Sequence, residues 1–215
     1  MKLSPLIIFI FFLSACHTLP VITKSSSPEK TFSACPNPFL KQKTTLIHAI
    51  EVHMSGGIKN AVIGVTEADP ATRAISCAIM TAEGMVLFEA VEIDGSLDIR
   101  RALPPFDFAN FARNMLEDVK LIFFEPRGKI EMIGFLPSGE TACRWQSDNS
   151  DTVDVLKAGN GLTEVKRYSG GGKVKRHIKF SGFAGGFYQN IELRAQEIAS
   201  YTLLMNLIEA WPPEN

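Results

Sequence analysis

The side chains in this sequence with covalent or metal-binding chemistry are four cysteines, Cys16, Cys35, Cys77 and Cys143, and four histidines, His17, His48, His53 and His177. They contain no Cys-x-x-Cys pair and no His/Cys cluster at metal-ligand spacing, so neither a metal site nor a cofactor is expected. His48 and His53 lie on one alternating run with opposite parity, which puts them on opposite faces of a strand. His177 stands inside a basic run, and these three histidines are expected at the surface. There is no Gly-x-Ser-x-Gly elbow, no His-Glu-x-x-His and no phosphate-binding glycine loop. Gly170-Gly171-Gly172 joins two strand-like runs, precedes no helix and reads as a turn. No catalytic residue is expected.

Cys16 has a context of its own. Lys2 is the only charge before it, and Leu6 to Leu13 is an unbroken apolar run. A charged start followed by a short apolar stretch is the layout of a secretory signal peptide. The run is too short to span a bilayer, which takes about 20 apolar residues. It ends in Leu13-Ser14-Ala15-Cys16, which resembles the processing box of bacterial lipoproteins. The resemblance implies cleavage before Cys16, acylation of its thiol, and membrane anchoring through two or more chains, since one chain holds weakly. His17 in the following position implies, by the same resemblance, the periplasmic face of the outer membrane.

Residues 1–15 are thus expected to be a signal peptide and residues 16–43 a lipidated cysteine with a flexible tether, marked by Ser25-Ser26-Ser27 and several prolines. Residues 44–215 are expected to form one domain; about 200 residues suffice for one core. Loss of Lys2 takes the formal net charge from −1 to −2, which excludes an overall basic, nucleic-acid-binding character. In an oxidising compartment, the three cysteines after Cys16 allow at most one disulfide. Cys77 lies in an apolar run and reads as a buried free thiol; Cys35 and Cys143 are the candidate pair, and the sequence leaves open whether they are joined.

From Leu46 the chain reads as short alternating runs separated by turn residues. Leu46–Met54, Ile58–Ala68, Arg73–Thr81, Met85–Ile93 and Ser96–Ala102 form a predicted meander, with Asp94-Gly95 a strong hairpin signal. The period then changes: Phe108, Phe111, Met115, Val119 and Ile122 recur at helical spacing, widened by Ala112, Leu116 and Phe123. This predicts a helix over Phe108–Phe124, capped by Asp107 and stopped by Pro126. Strand signals resume at Lys129–Leu136, Thr141–Gln146, Val153–Leu156, Thr163–Tyr168, Lys173–Phe180, Tyr188–Leu193 and Tyr201–Ile208. The architecture expected is mainly β, with about eleven strands and one helix. The basic run Lys173–Lys179, with Lys166 and Arg167, admits two readings: a face for anionic lipid headgroups, or a solvated edge strand guarded by its lysines.

The block Ile75–Glu89 followed by Ile93-Asp94-Gly95, the helix Asn114–Ile122 before Glu125-Pro126, and the strands from Leu162 to Ile208 together resemble LolA/LolB-like outer-membrane lipoproteins. Within that family the helix segment is similar to an uncharacterised lipoprotein branch linked with aryl polyene gene clusters. The resemblance implies an incomplete antiparallel β-barrel of about eleven strands with a helical lid over a hydrophobic cavity for acyl chains. Phe108, Phe111, Met115, Val119, Ile122 and Phe123 are the candidate cavity residues, and the protein is expected to be a monomer. The implied function is non-catalytic: binding the acyl chains of a lipoprotein or another lipidic cargo. The family's lipoprotein receptor carries an apolar residue in a protruding loop where this chain has Glu83, a departure that argues against insertion activity. The competing reading is an assembly lipoprotein that docks a partner through a β edge.

Overall fold

The computed structural model describes residues 18–24, 35–54, 56–57, 59–147, 151–197 and 200–211; the signal segment and Cys16 lie outside them. The strands are β1 (Thr23–Lys24), β2 (Thr44–Met54), β3 (Lys59–Asp69), β4 (Ala74–Met80), β5 (Val86–Ile93) and β6 (Ser96–Ala102). After the helix α1 (Phe111–Phe123) come β7 (Lys129–Phe135), β8 (Thr141–Gln146), β9 (Thr152–Lys157) and β10 (Thr163–Tyr168). The chain ends in β11 (Val174–Ala184), β12 (Phe187–Ala195) and β13 (Tyr201–Trp211).

All of them pair into one 13-stranded antiparallel sheet, in the order β1-β7-β8-β9-β10-β11-β12-β13-β2-β3-β4-β5-β6. Two meanders, β2 to β6 and β7 to β13, are joined edge to edge where β13 pairs with β2. The chain passes from β6, at one edge of the sheet, to β7, next to the other edge, by way of α1. A helix that links the two far sides of a curled sheet must cross its open side. The result is an incomplete barrel with a helical lid. At the β5–β6 turn, Asp94 and Gly95 both have positive φ, 51° and 77°, as a two-residue hairpin turn of the primed type requires.

The predicted strands are present with shifts of a few residues at their ends, and the extra member is the two-residue β1. The largest shift is in β11, which runs on past Phe180 to Ala184. The helix starts later than predicted. Asp107 and Phe108 lie in the turn before it, and the cap is Asn110, in the left-handed region at φ 64° without a side-chain cap bond. Asn tolerates that conformation better than most residues. Strand β11 lies between β10 and β12, so the edge-strand reading of the basic run is overturned.

Inward-facing side chains of both meanders share one core with the helix. Leu116 and Ile122 of α1 belong to one buried cluster with Ile75, Phe88, Val155, Val165, Ile178 and Leu193. Asp118, also on the buried side, accepts from Arg176 Nε at 2.6 Å and from the Tyr201 hydroxyl. Lys120 reaches Glu92 on β5 at 3.0 Å. These bonds tie the helix to β11 and β13 on one side and to β5 on the other.

Two described parts of the stretch expected as a flexible tether are fastened to the domain. Cys35 is disulfide-bonded to Cys143 on β8, Phe39 is buried in the core, and the Leu40 amide donates to the Phe123 carbonyl at 3.0 Å. On the outer face Ile22 packs with Ala142 and Leu156, and Thr23–Lys24 pairs with β7. Gly134 permits that pairing, since a β-carbon there would lie 1.9 Å from the Thr23 carbonyl oxygen. Below this N-terminal strap, Arg144 and Asp154 form a buried two-bond ion pair, both at 2.7 Å, and Arg144 also donates to the Pro20 carbonyl at 3.0 Å. Apolar Ile22 and Phe39 and the disulfide fasten the segment, and its proline and serine content does not reveal them.

Candidate functional site

A cavity of about 400 Å³ opens at one end of the concave face. Its walls come from four elements. The strap Asn37–Gln42 forms one side, with Phe39 pointing into the core. The first turns of β2 supply Thr44, Leu46 and His48, and the C-terminal end of α1 supplies Phe123. The long β11–β12 hairpin supplies Phe180, Tyr188, Ile191 and, around its Gly185-Gly186 tip, Phe183 and Phe187. Strand alternation explains the β2 set: Thr44, Leu46 and His48 share one parity and face inward together.

Most of the lining is aromatic or aliphatic, with polar groups at Asn37, Lys41, Gln42, Thr44, His48 and Tyr188. Tyr188 packs against Phe180 and Phe183 at 5.2 and 5.0 Å between ring centroids, and its hydroxyl pairs with Thr163 at 3.2 Å. Phe183 is 64% exposed at the mouth. His48 is a buried polar side chain of the wall. It is 1% exposed, its ring lies 6.0 Å from that of Phe123, and neither nitrogen has a hydrogen-bond partner among the described residues. Burial lowers its pKa from 6.5 to about 4. The surface position expected for His48 is therefore overturned: its parity with Leu46 puts it on the apolar face.

The six candidate residues separate. Phe123 lines the cavity; Ile122 is buried in the core beside it. Met115 and Val119 are half-buried against the core. Phe111 is half-buried in an aromatic group with Phe88, Phe106 and Phe108, at 5.1–5.2 Å. Phe108 is 60% exposed, because the helix begins after it. Sequence periodicity missed Phe39, His48, Phe180 and Tyr188; the inward parity of β2 and β11 is the signal that finds His48 and Phe180. A second, more open recess of about 570 Å³ lies across the strap, bounded by Arg73, Phe124, Glu125 and Trp145.

Cys77 is a buried free thiol beside Thr66, and burial pushes its pKa up to about 12, so it is no nucleophile. His53 pairs with Glu51 at 3.3 Å and His177 with Glu164 at 2.9 Å. Part of the basic run is paired: Lys166 with Glu164 at 2.9 Å and Lys175 with Asp151 at 3.3 Å. No group of three or more His, Cys, Asp or Glu side chains able to hold a metal occurs among the described residues. No helix among them is long and apolar enough to cross a membrane.

No family model and no curated protein sequence matches this chain. Among solved structures, it is similar to a LolA superfamily protein from Nitrosomonas europaea, at 8% identity and TM-score 0.49, over 89% of this chain and 96% of that one. It is also similar to a domain from Vibrio parahaemolyticus described as an outer membrane lipoprotein-sorting protein, at 6% identity and TM-score 0.42, over 86% and 90%. At those identities no site residue transfers from either.

Proposed function

We propose that this chain is a membrane-anchored periplasmic lipoprotein that holds an acyl chain of a lipoprotein or other lipidic cargo, without catalysis. The observation that carries the reading is the aromatic-lined cavity of about 400 Å³ beneath the end of the lid helix. Its volume falls within the usual range for small-molecule sites, roughly 300–1,000 Å³, and its lining favours an apolar occupant. The lipidated Cys16 and the outer-membrane location rest on the resemblance of Leu13–Cys16 to lipoprotein processing boxes. An aryl polyene cargo rests on the family resemblance alone, because the lining selects for an apolar chain and for no particular lipid.

Docking of a partner through a β edge is less well supported. The β6 edge is exposed and carries Asp98, Arg100 and Arg101, charges that discourage strand addition, and the other edge is the two-residue β1. The test is titration of the full chain carrying Cys16→Ala with a fluorescent fatty-acid probe. Saturable binding in the micromolar range is expected, since burial of the methylenes at about 0.8 kcal/mol each is offset by the cost of ordering the chain. Phe123→Asp places a carboxylate in the wall and abolishes binding. Phe183→Asp, at the exposed mouth, weakens it in a variant whose core is untouched. A folded chain with no saturable binding sinks the carrier reading.

A further inference from the structure

We propose that the cavity selects an amphiphile whose buried part carries a neutral O–H group, a hydroxyl or an un-ionised carboxyl, and that His48 recognises it. This deepens the carrier reading and rests on it. The polar side chains buried around the core are otherwise provided for. Arg144 is matched with Asp154, Arg176 with Asp118, and Thr163 with Tyr188. Two arginines have an unpaired Nε, but Arg73 donates through Nη1 to the Glu125 carbonyl at 2.9 Å, and Arg167 lies 4.0 Å from Asp151. His48 alone, among the described residues, is buried with every polar atom of its side chain unpaired. It is also the one such side chain that lines the cavity.

The chemistry of the ring narrows the ligand. Burial keeps the imidazole neutral near pH 7, so one nitrogen donates and the other accepts. A plain hydrocarbon satisfies neither. The one charged residue of the lining is the exposed Lys41, so an ammonium finds no counter-charge, and a phosphate carried in among Leu46, Phe39, Phe123 and Phe180 would lose its hydration with no cation buried beside it. A hydroxyl or a neutral carboxyl both donates and accepts, at a modest desolvation cost. An acyl chain with such a group suits the aromatic part of the lining and offers a partner to the unpaired nitrogens of His48.

The experiment compares 1-dodecanol with n-dodecane as displacers of a fluorescent naphthylamine from the full chain carrying Cys16→Ala. The alcohol is expected to bind about tenfold more tightly than the alkane, the worth of one net hydrogen bond. His48→Phe should erase that preference while leaving dodecane binding in place, and His48→Gln, which keeps a donor and an acceptor, should retain part of it. The ring nitrogen resonances of His48, read by NMR in the otherwise unsubstituted chain, should shift with the alcohol and not with the alkane. This readout stands even if a substitution fails to fold. Equal affinities, a preference that survives His48→Phe, or an unmoved ring resonance would each overturn the proposal while leaving the carrier reading intact. Displacement by neither compound overturns both.

Discussion

Burial alone lowers the His48 pKa from 6.5 to about 4, so the folded chain resists protonating this ring where the unfolded chain accepts a proton. Its contribution to stability is therefore fully present above pH 6.5 and is lost as the pH falls from 6.5 towards 4. A shift of that size corresponds to roughly 3 kcal/mol across the window. His48→Phe removes the titrating group and the unpaired nitrogens together. Denaturant titrations at pH 7 and pH 4.5 should thus show a smaller acid-induced loss in His48→Phe than in the parent chain. Equal losses would mean that the ring is hydrated in solution. The alternation Thr44, Leu46, His48 was enough to place this residue inward, and its chemical type pulled the sequence reading towards the surface. Arg144 and Asp154 carry the same lesson. Both occupy strands buried on their two faces, Ala142–Trp145 and Thr152–Leu156, so hydrophobic periodicity gives no warning of an internal ion pair.

At the scale of elements, strands were the most legible part of the fold, because each is a short alternating run bounded by Gly, Pro or Asx turns. The helix was legible through its 3.6-residue period, and its start was not. The sequence offers Asp107 as a good cap, but the chain first makes a turn through Phe108–Asn110 and enters the helix from a left-handed asparagine. The strap Cys35–Lys43 was hidden, because one buried phenylalanine and a disulfide hold it in place of a periodic face. That disulfide closes a loop with a sequence separation of 108, long enough for a stabilisation of several kcal/mol through the unfolded chain. Cys35→Ser should lower the unfolding free energy by about 3–5 kcal/mol in denaturant titrations. It should also weaken fatty-acid probe binding, since Asn37–Gln42 form one wall of the cavity. Stability lost with unchanged probe affinity would show that the strap stays in place through Phe39 and Leu40 alone.

At the scale of the molecule, two meanders meet at β13 and β2, and the helix crosses from one free side of the sheet to the other. That closure follows from long-range pairing, which one sequence does not display; the family resemblance suggested it, and the periodicities did not. The N-terminal strap changes how such a domain would stand on a membrane. If Cys16 carries the acyl chains, only about 7 Å of extended chain separates it from Thr18, and Pro20 and Ile22 are already seated on the outer face of β8 and β9. The domain should then lie against the bilayer with its strap side inward, in place of swinging on the long tether that the serine and proline content suggests. Energy transfer from a fluorescent amino acid at exposed Lys157 to headgroup-labelled lipid measures this, with incorporation of a palmitate analogue confirming the anchor. Ile22→Asp, which unseats the strap, and a 20-residue Gly/Ser insertion between His17 and Thr18 should each reduce the transfer. The insertion alone tests reach, and Ile22→Asp tests docking, so a loss in the first without the second would mean that the domain is held close by chain length alone. Transfer unchanged in both variants would mean that another surface of the domain holds it to the membrane.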